Sequence, residues 1–155
     1  MMKYPIGIQS FEQLREDGYV YVDKTDLVYK LVTTGKIYFL SRPRRFGKSL
    51  LISTLESYFL GRRDLFEGLA ISSLEKEWLE YPVFRIDFNG SIFTQHGELE
   101  RKIDGYLSRW EEIYGSSGHG LGAGDRFVEI LHRAHERTGR RCVVLIDEYD
   151  KPLLD

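Results

Sequence analysis

The chain has 155 residues, 42% of them hydrophobic, 14% aromatic and 30% charged, a balance that suits a globular domain and excludes disorder and collagen-like repeats. Its 22 Lys and Arg against 24 Asp and Glu give a formal charge of −2, so no global basic field marks it as a general nucleic-acid binder. Cys142 has no internal disulfide partner, no run approaches the roughly 18 apolar residues of a membrane span, and the N-terminus lacks an apolar signal core; a cytoplasmic protein that makes no use of a membrane is expected.

Along the chain, Ser10-Phe11-Glu12-Gln13 fits a capping box, and Gly18 can end the short helix it opens. Tyr19–Val22 reads as a strand. Asp23-Lys24-Thr25 reads as the start of a helix carrying Leu27, Val28 and Leu31 and stopped at Gly35, so residues 1–36 form a preamble packed on the same domain as 37–155. Ile37-Tyr38-Phe39-Leu40 is short, apolar and rich in β-formers, which predicts a buried strand. Ser49–Leu60 reads as a helix with Leu51, Ile52, Leu55, Tyr58 and Phe59 on one face and Gly61 as its stop. Ser72 and Glu75 repeat the capping-box spacing before Trp78. Pro82–Phe88 predicts a second strand closed by Asn89-Gly90. Helical spacing returns at Leu99, Ile103, Tyr106, Trp110 and Ile113. The Gly/Ser segment 115–124 reads as a mobile connection to a helix carrying Phe127, Ile130, Leu131 and Ala134. Cys142–Ile146 is an uninterrupted apolar run, as in parallel strands buried on both faces. The alternation predicts an α/β fold, a parallel sheet flanked by helices.

Chemistry concentrates at two places. After the first predicted strand, Ser41-Arg42-Pro43-Arg44-Arg45-Phe46-Gly47-Lys48-Ser49 ends as a phosphate-binding P-loop ends, although Arg42 stands where G-x-x-x-x-G-K-[ST] has its first glycine. Backbone N–H groups at a helix N-terminus favour a polyphosphate. Arg44, Arg45, Phe46, Gly47, Lys48, Ser49 and Leu50 are the nucleotide-binding candidates, with Lys48 reaching the β- and γ-phosphates and Ser49 holding Mg²⁺. One hundred residues after Gly47, the apolar strand ends in Asp147-Glu148. Asp147 is the candidate Mg²⁺ residue, and Glu148 the group that aligns or deprotonates the attacking water; Lys48 and Glu148 are the catalytic candidates. No Asn-Lys-x-Asp sequence is present, so ATP is expected over GTP.

With Gly18–Thr25, Tyr38–Ser49, Leu65-Phe66-Glu67-Gly68-Leu69, Tyr81-Pro82-Val83 and Leu145–Pro152 together, the chain resembles the AAA-ATPase-like domain family of bacterial proteins, over nearly its whole length. Arg42 is normal there. The resemblance implies a P-loop-type fold, nucleotide binding first and hydrolysis second, and a following PD-(D/E)XK nuclease-like region in many members. The chain is also similar to archaeal-type ATPases, which carry a Pro-Arg pair at the places of Pro43 and Arg44.

Other readings stand beside these. A nucleotide-sensing module without useful turnover is the alternative function. Arg42, Arg44 and Arg45 can touch phosphates, pair with Asp150 or Glu148, or bind a nucleic-acid backbone together with Arg62 and Arg63. Tyr4, Ile8, Phe11 and Arg15 read as core before they read as an adenine wall. His132 and His135 have a metal-compatible spacing but no companion ligands, which favours a surface helix. Only eight residues follow Asp147, which leads to the expectation of a P-loop ATPase-like domain cut after its acidic strand, lacking later strands, weak in hydrolysis and open to oligomerisation.

Overall fold

The computed structural model describes residues 2–35, 47–90, 93–94, 96–118 and 120–148. Its described residues form an α/β structure with a two-stranded parallel sheet, and the chain divides into two units, Met1–Glu80 and Tyr81–Asp155. The strand predicted at 37–40 lies outside the described residues.

In the first unit, α1 (Phe11–Glu16) begins as its capping sequence predicts: Ser10 Oγ accepts the Gln13 N–H at 3.2 Å. The Phe11 N–H donates to Ser53 Oγ of α3 (Lys48–Phe59) at 2.9 Å. That bond shows why the expected apolar face of α3 needs correction. Leu51, Ile52, Tyr58 and Phe59 are only half-buried, and the buried side consists of Ser53, Thr54, Leu55 and Ser57. Small side chains let another helix come close, and their hydroxyls find backbone partners, as Thr54 does by donating to Leu50 O at 2.7 Å. Tyr19–Val22 forms no strand. It contributes one isolated parallel bridge, Lys3 to Tyr19, with the Val20 N–H on Lys3 O at 2.7 Å.

Helix α2 (Thr25–Thr34) runs to Gly35, as predicted. The Asp23 carboxylate accepts from the Thr25 N–H and hydroxyl at 2.9 and 2.6 Å and from the Ala70 N–H at 2.7 Å. Thr25 Oγ1 in turn accepts the Ile71 N–H at 3.0 Å. These bonds tie the start of α2 to the start of α4 (Ile71–Leu74). The capping box expected at Ser72 and Glu75 does not form, because this helix ends after four residues: the Ser72 hydroxyl donates to Leu69 O, and Glu75 accepts from the Tyr58 hydroxyl and the Lys76 and Glu77 N–H groups. The core joins Phe11, Leu14, Val28, Phe66 and Ile71, with aromatic rings in sequence from Tyr21 through Phe11, Phe66 and Trp78 to Tyr58. Gly61 ends α3 at φ +72°, where an added Cβ would lie 2.9 Å from Trp78 O.

In the second unit, β1 (Val83–Asp87) and β2 (Val143–Asp147) pair in parallel, Val83 opposite Val143 through Asp87 opposite Asp147. Parallel strands need a long crossover, and here it consists of α5 (Glu98–Tyr114) and α6 (Ala123–Thr138), which pack on one another. Phe84, Leu107, Ile130 and Ala134 form the core, joined by Ile103, Trp110, Tyr114 and Phe127. The buried stripe of α5 is therefore Ile103, Leu107, Trp110 and Tyr114, and Ile113 faces out at 56% exposure. The 115–124 segment is less free than its composition predicts: Ser117 donates to Glu129 at 2.8 Å, and Ala123 and Gly124 already belong to α6. Strand β2 is not covered on both faces among the described residues. Val144 and Ile146, which share a face with Phe84 by register, are 39% and 44% exposed.

Candidate functional site

Of the loop–helix candidates, those from Gly47 onward are described; Arg44, Arg45 and Phe46 lie outside the described residues. Gly47 takes the left-handed conformation, φ 80° and ψ 15°, as N-cap of α3, and no side chain caps the helix there. A Cβ strains that conformation, which is the physical reason for glycine at this point. The first α3 bond closes from the Leu51 N–H to Gly47 O at 3.0 Å. Helix geometry gives the amides of Lys48, Ser49 and Leu50 no acceptor within the helix, and the helix dipole favours negative charge beside them. Lys48, Ser49 and Leu50 are all half-buried.

The strand candidates, Asp147 and Glu148, lie at the carboxyl end of the sheet in the second unit. Asp147 is buried, 4% exposed, and its backbone O accepts the Phe88 N–H at 3.2 Å. Glu148 follows at φ 55°, a left-handed conformation unusual outside glycine, so the extended ladder ends abruptly after Asp147. Asp87, which the motifs do not single out, sits opposite Asp147 in register, on the same sheet face. Its signal was available: the 82–88 segment, like the later strand, carries an aspartate at its end. Asp87 Oδ1 accepts the Asn89 N–H at 2.8 Å, and the Tyr106 hydroxyl of α5 both accepts from the Asp87 N–H at 3.0 Å and donates to Asp87 O at 3.2 Å.

Hard oxygen donors such as the Ser49 hydroxyl and the Asp147 carboxylate suit Mg²⁺, which takes one or two protein oxygens and completes its shell with water and phosphate. Among the described residues no three His, Cys, Asp or Glu side chains gather as a metal cage, and His135 Nδ1 instead lies 2.7 Å from Arg140 O. Phe11 is wholly buried, and Arg15 donates to Leu65 O and Glu67 O at 2.8 and 2.6 Å. Both are therefore structural, whereas Tyr4 is 70% exposed and Ile8 half-buried. Asp23 and Thr25 are likewise engaged with backbone. Burial pushes the Asp23 carboxyl up, but the bonds from Thr25 and Ala70 outweigh it and hold the group below its usual range.

Residues 5–155 match the family described as "Predicted AAA-ATPase", and the chain belongs to this AAA-ATPase-like family. It is 46% identical over 154 residues to an uncharacterized protein in the vnfD 5′ region of Azotobacter chroococcum mcd 1. The alignment covers 99% of this chain but 30% of that relative's length. No solved structure matches the chain. None of the described helices is long and apolar enough to cross a membrane.

Proposed function

We propose that this chain is a P-loop-type module that binds Mg·ATP and, in the protein as a whole, hydrolyses it slowly to ADP and phosphate. The observation that carries the reading is Gly47 in the left-handed conformation at the head of α3, directly before Lys48 and Ser49, in a chain of the AAA-ATPase-like family. Backbone amides at the start of α3 receive phosphate oxygens, with Arg44, Arg45 and Phe46 contributing from the preceding loop. Lys48 neutralises charge on the β- and γ-phosphates, and Ser49 and Asp147 hold Mg²⁺. The ion, when bound, neutralises charge that develops on the phosphates. Glu148 orients the attacking water and accepts its proton. The turn away from extended backbone at Glu148 supports this division of labour, because consecutive carboxylates on a regular strand would point to opposite faces. A cytoplasmic location belongs to the same proposal.

Mg·ATP is expected to raise the melting temperature of the chain, and Lys48→Ala to remove the increase. Absence of any shift in the parent protein, with ATP in large excess, overturns nucleotide binding. Turnover has its own test. In a preparation that hydrolyses ATP, Glu148→Gln should lower phosphate release by roughly a hundredfold or more while leaving the ATP-induced shift in place. Unchanged release removes Glu148 from its role.

A further inference from the structure

A second polar surface lies on α5, within the Tyr81–Asp155 unit. Arg101, Lys102, Gly105, Tyr106 and Arg109, with Glu98 at one end, line an open groove of about 360 Å³. Their spacing places three cations along one helical stripe that is about 12 Å long from Arg101 to Arg109. The stripe is basic although α5 as a whole is not. Of the helix's five acids, Asp104 and Glu111 are held by Arg126 of α6 at 2.6 Å each, Glu98 and Glu112 stand at the stripe's two ends, and exposed Glu100 does not line the groove.

One aromatic ring, that of Tyr106, lies within the same stripe, and Trp110 supports it from the core side. Tyr106 and Trp110 stack with centroids 5.5 Å apart, and the Arg109 guanidinium lies 4.8 Å over the Tyr106 ring. The side-chain-free Gly105 leaves the middle of the groove low, with nothing within 4 Å of the place a Cβ would take. Lys102 Nζ reaches Asn89 O at 3.4 Å, and the Tyr106 hydroxyl holds Asp87, so the stripe adjoins the carboxyl end of β1.

We propose that this α5 stripe binds the backbone of single-stranded nucleic acid. Three cations over that length match two or three successive phosphates. The exposed Arg109 guanidinium, backed by the Tyr106 ring, offers a planar cationic face on which a base can rest without regard to its identity. The Arg101–Glu98 pair is exposed and of low energy, so Arg101 can exchange its carboxylate for a phosphate.

The test is fluorescence anisotropy of the chain with a labelled oligothymidylate of about twenty nucleotides, without nucleotide, so that its outcome is independent of ATP binding. About three phosphate contacts give a log–log salt slope near −2, or a loss of roughly twentyfold between about 50 and 200 mM salt. Arg101→Gln, Lys102→Gln and Arg109→Gln together should weaken binding at least about tenfold, and each alone should reduce the slope by about 0.7. Glu98→Gln should tighten binding about two- to fivefold, by removing a repulsive and competing charge, a gain that misfolding cannot produce. The proposal is overturned by a triple variant with parental affinity, by binding insensitive to salt, or by Glu98→Gln binding no tighter than the parent. Tighter binding of duplex DNA or of polyglutamate also overturns it, the latter reassigning the stripe to an acidic protein partner.

Discussion

At the scale of single residues, Thr25 shows how a segment shared with a family can serve structure. Its side chain is wholly buried, donates to Asp23 and accepts from Ile71 N–H. Thr25→Val keeps the shape but strands a buried amide, so it should cost about 1–3 kcal/mol in urea unfolding, with no change in ATP affinity. Loss of ATP binding in a folded Thr25→Val protein would return the residue to the site. Gly61 makes the complementary point. A methyl group there meets Trp78 O at 2.9 Å in a left-handed backbone, so Gly61→Ala should destabilise by about 1–2 kcal/mol or more, whereas Gly105→Ala, in open space on a helix, should stabilise slightly. Both glycines are plain in the sequence. Only the backbone around them separates the one that must stay from the one that can change.

At the scale of elements, the Ser10 cap of α1 is legible because its bond is local: Ser10 and Gln13 are three residues apart. The same pattern at Ser72 and Glu75 fails because α4 starts before Ser72 and ends at Leu74, with Asp23 and Thr25 from a distant segment taking the amides at its head and Glu75 beyond its end accepting from Tyr58. Helix α3 fails differently, since hydrophobic spacing cannot reveal that a Ser53 hydroxyl caps another helix. The pairing of α5 with α6 rests partly on Arg126, which bonds Asp104 and Glu111 with its side chain only 20% exposed. Arg126→Ala should therefore cost about 1 kcal/mol, at the upper end for ion pairs near a surface. An unfolding midpoint identical to the parent's would show that the contact contributes nothing.

For the molecule as a whole, the carboxylates link stability to pH. Arg62 holds the Asp64 carboxyl and Arg126 the Glu111 carboxyl below the ordinary range. Burial pushes the Glu75 carboxyl up, but hydrogen bonds from Tyr58 and nearby amides prevail and lower it, as those of Thr25 and Ala70 do for Asp23. A carboxyl whose folded pKa lies below its unfolded value gives stability that is complete above the unfolded value, near 4, and is lost as pH falls through the folded one. The urea midpoint should thus be level, as far as these groups act, from about pH 6 to 8 and fall steadily below about pH 5. Glu75→Gln and Asp23→Asn should flatten that fall, and a midpoint that rises on acidification would contradict the arrangement. The sequence alone determined the α/β class, the helix after Gly47-Lys48-Ser49, the strand ending in Asp147 and the membership of an ATPase-like family, because each depends on neighbours in the chain or on a motif of fixed spacing. Tertiary structure decided the rest. It set Asp87 beside Asp147 through strand register, drew acids of α5 to Arg126 so that a basic stripe remained, and made core or brace of Phe11 and Arg15, because each of these outcomes depends on groups that only folding brings together.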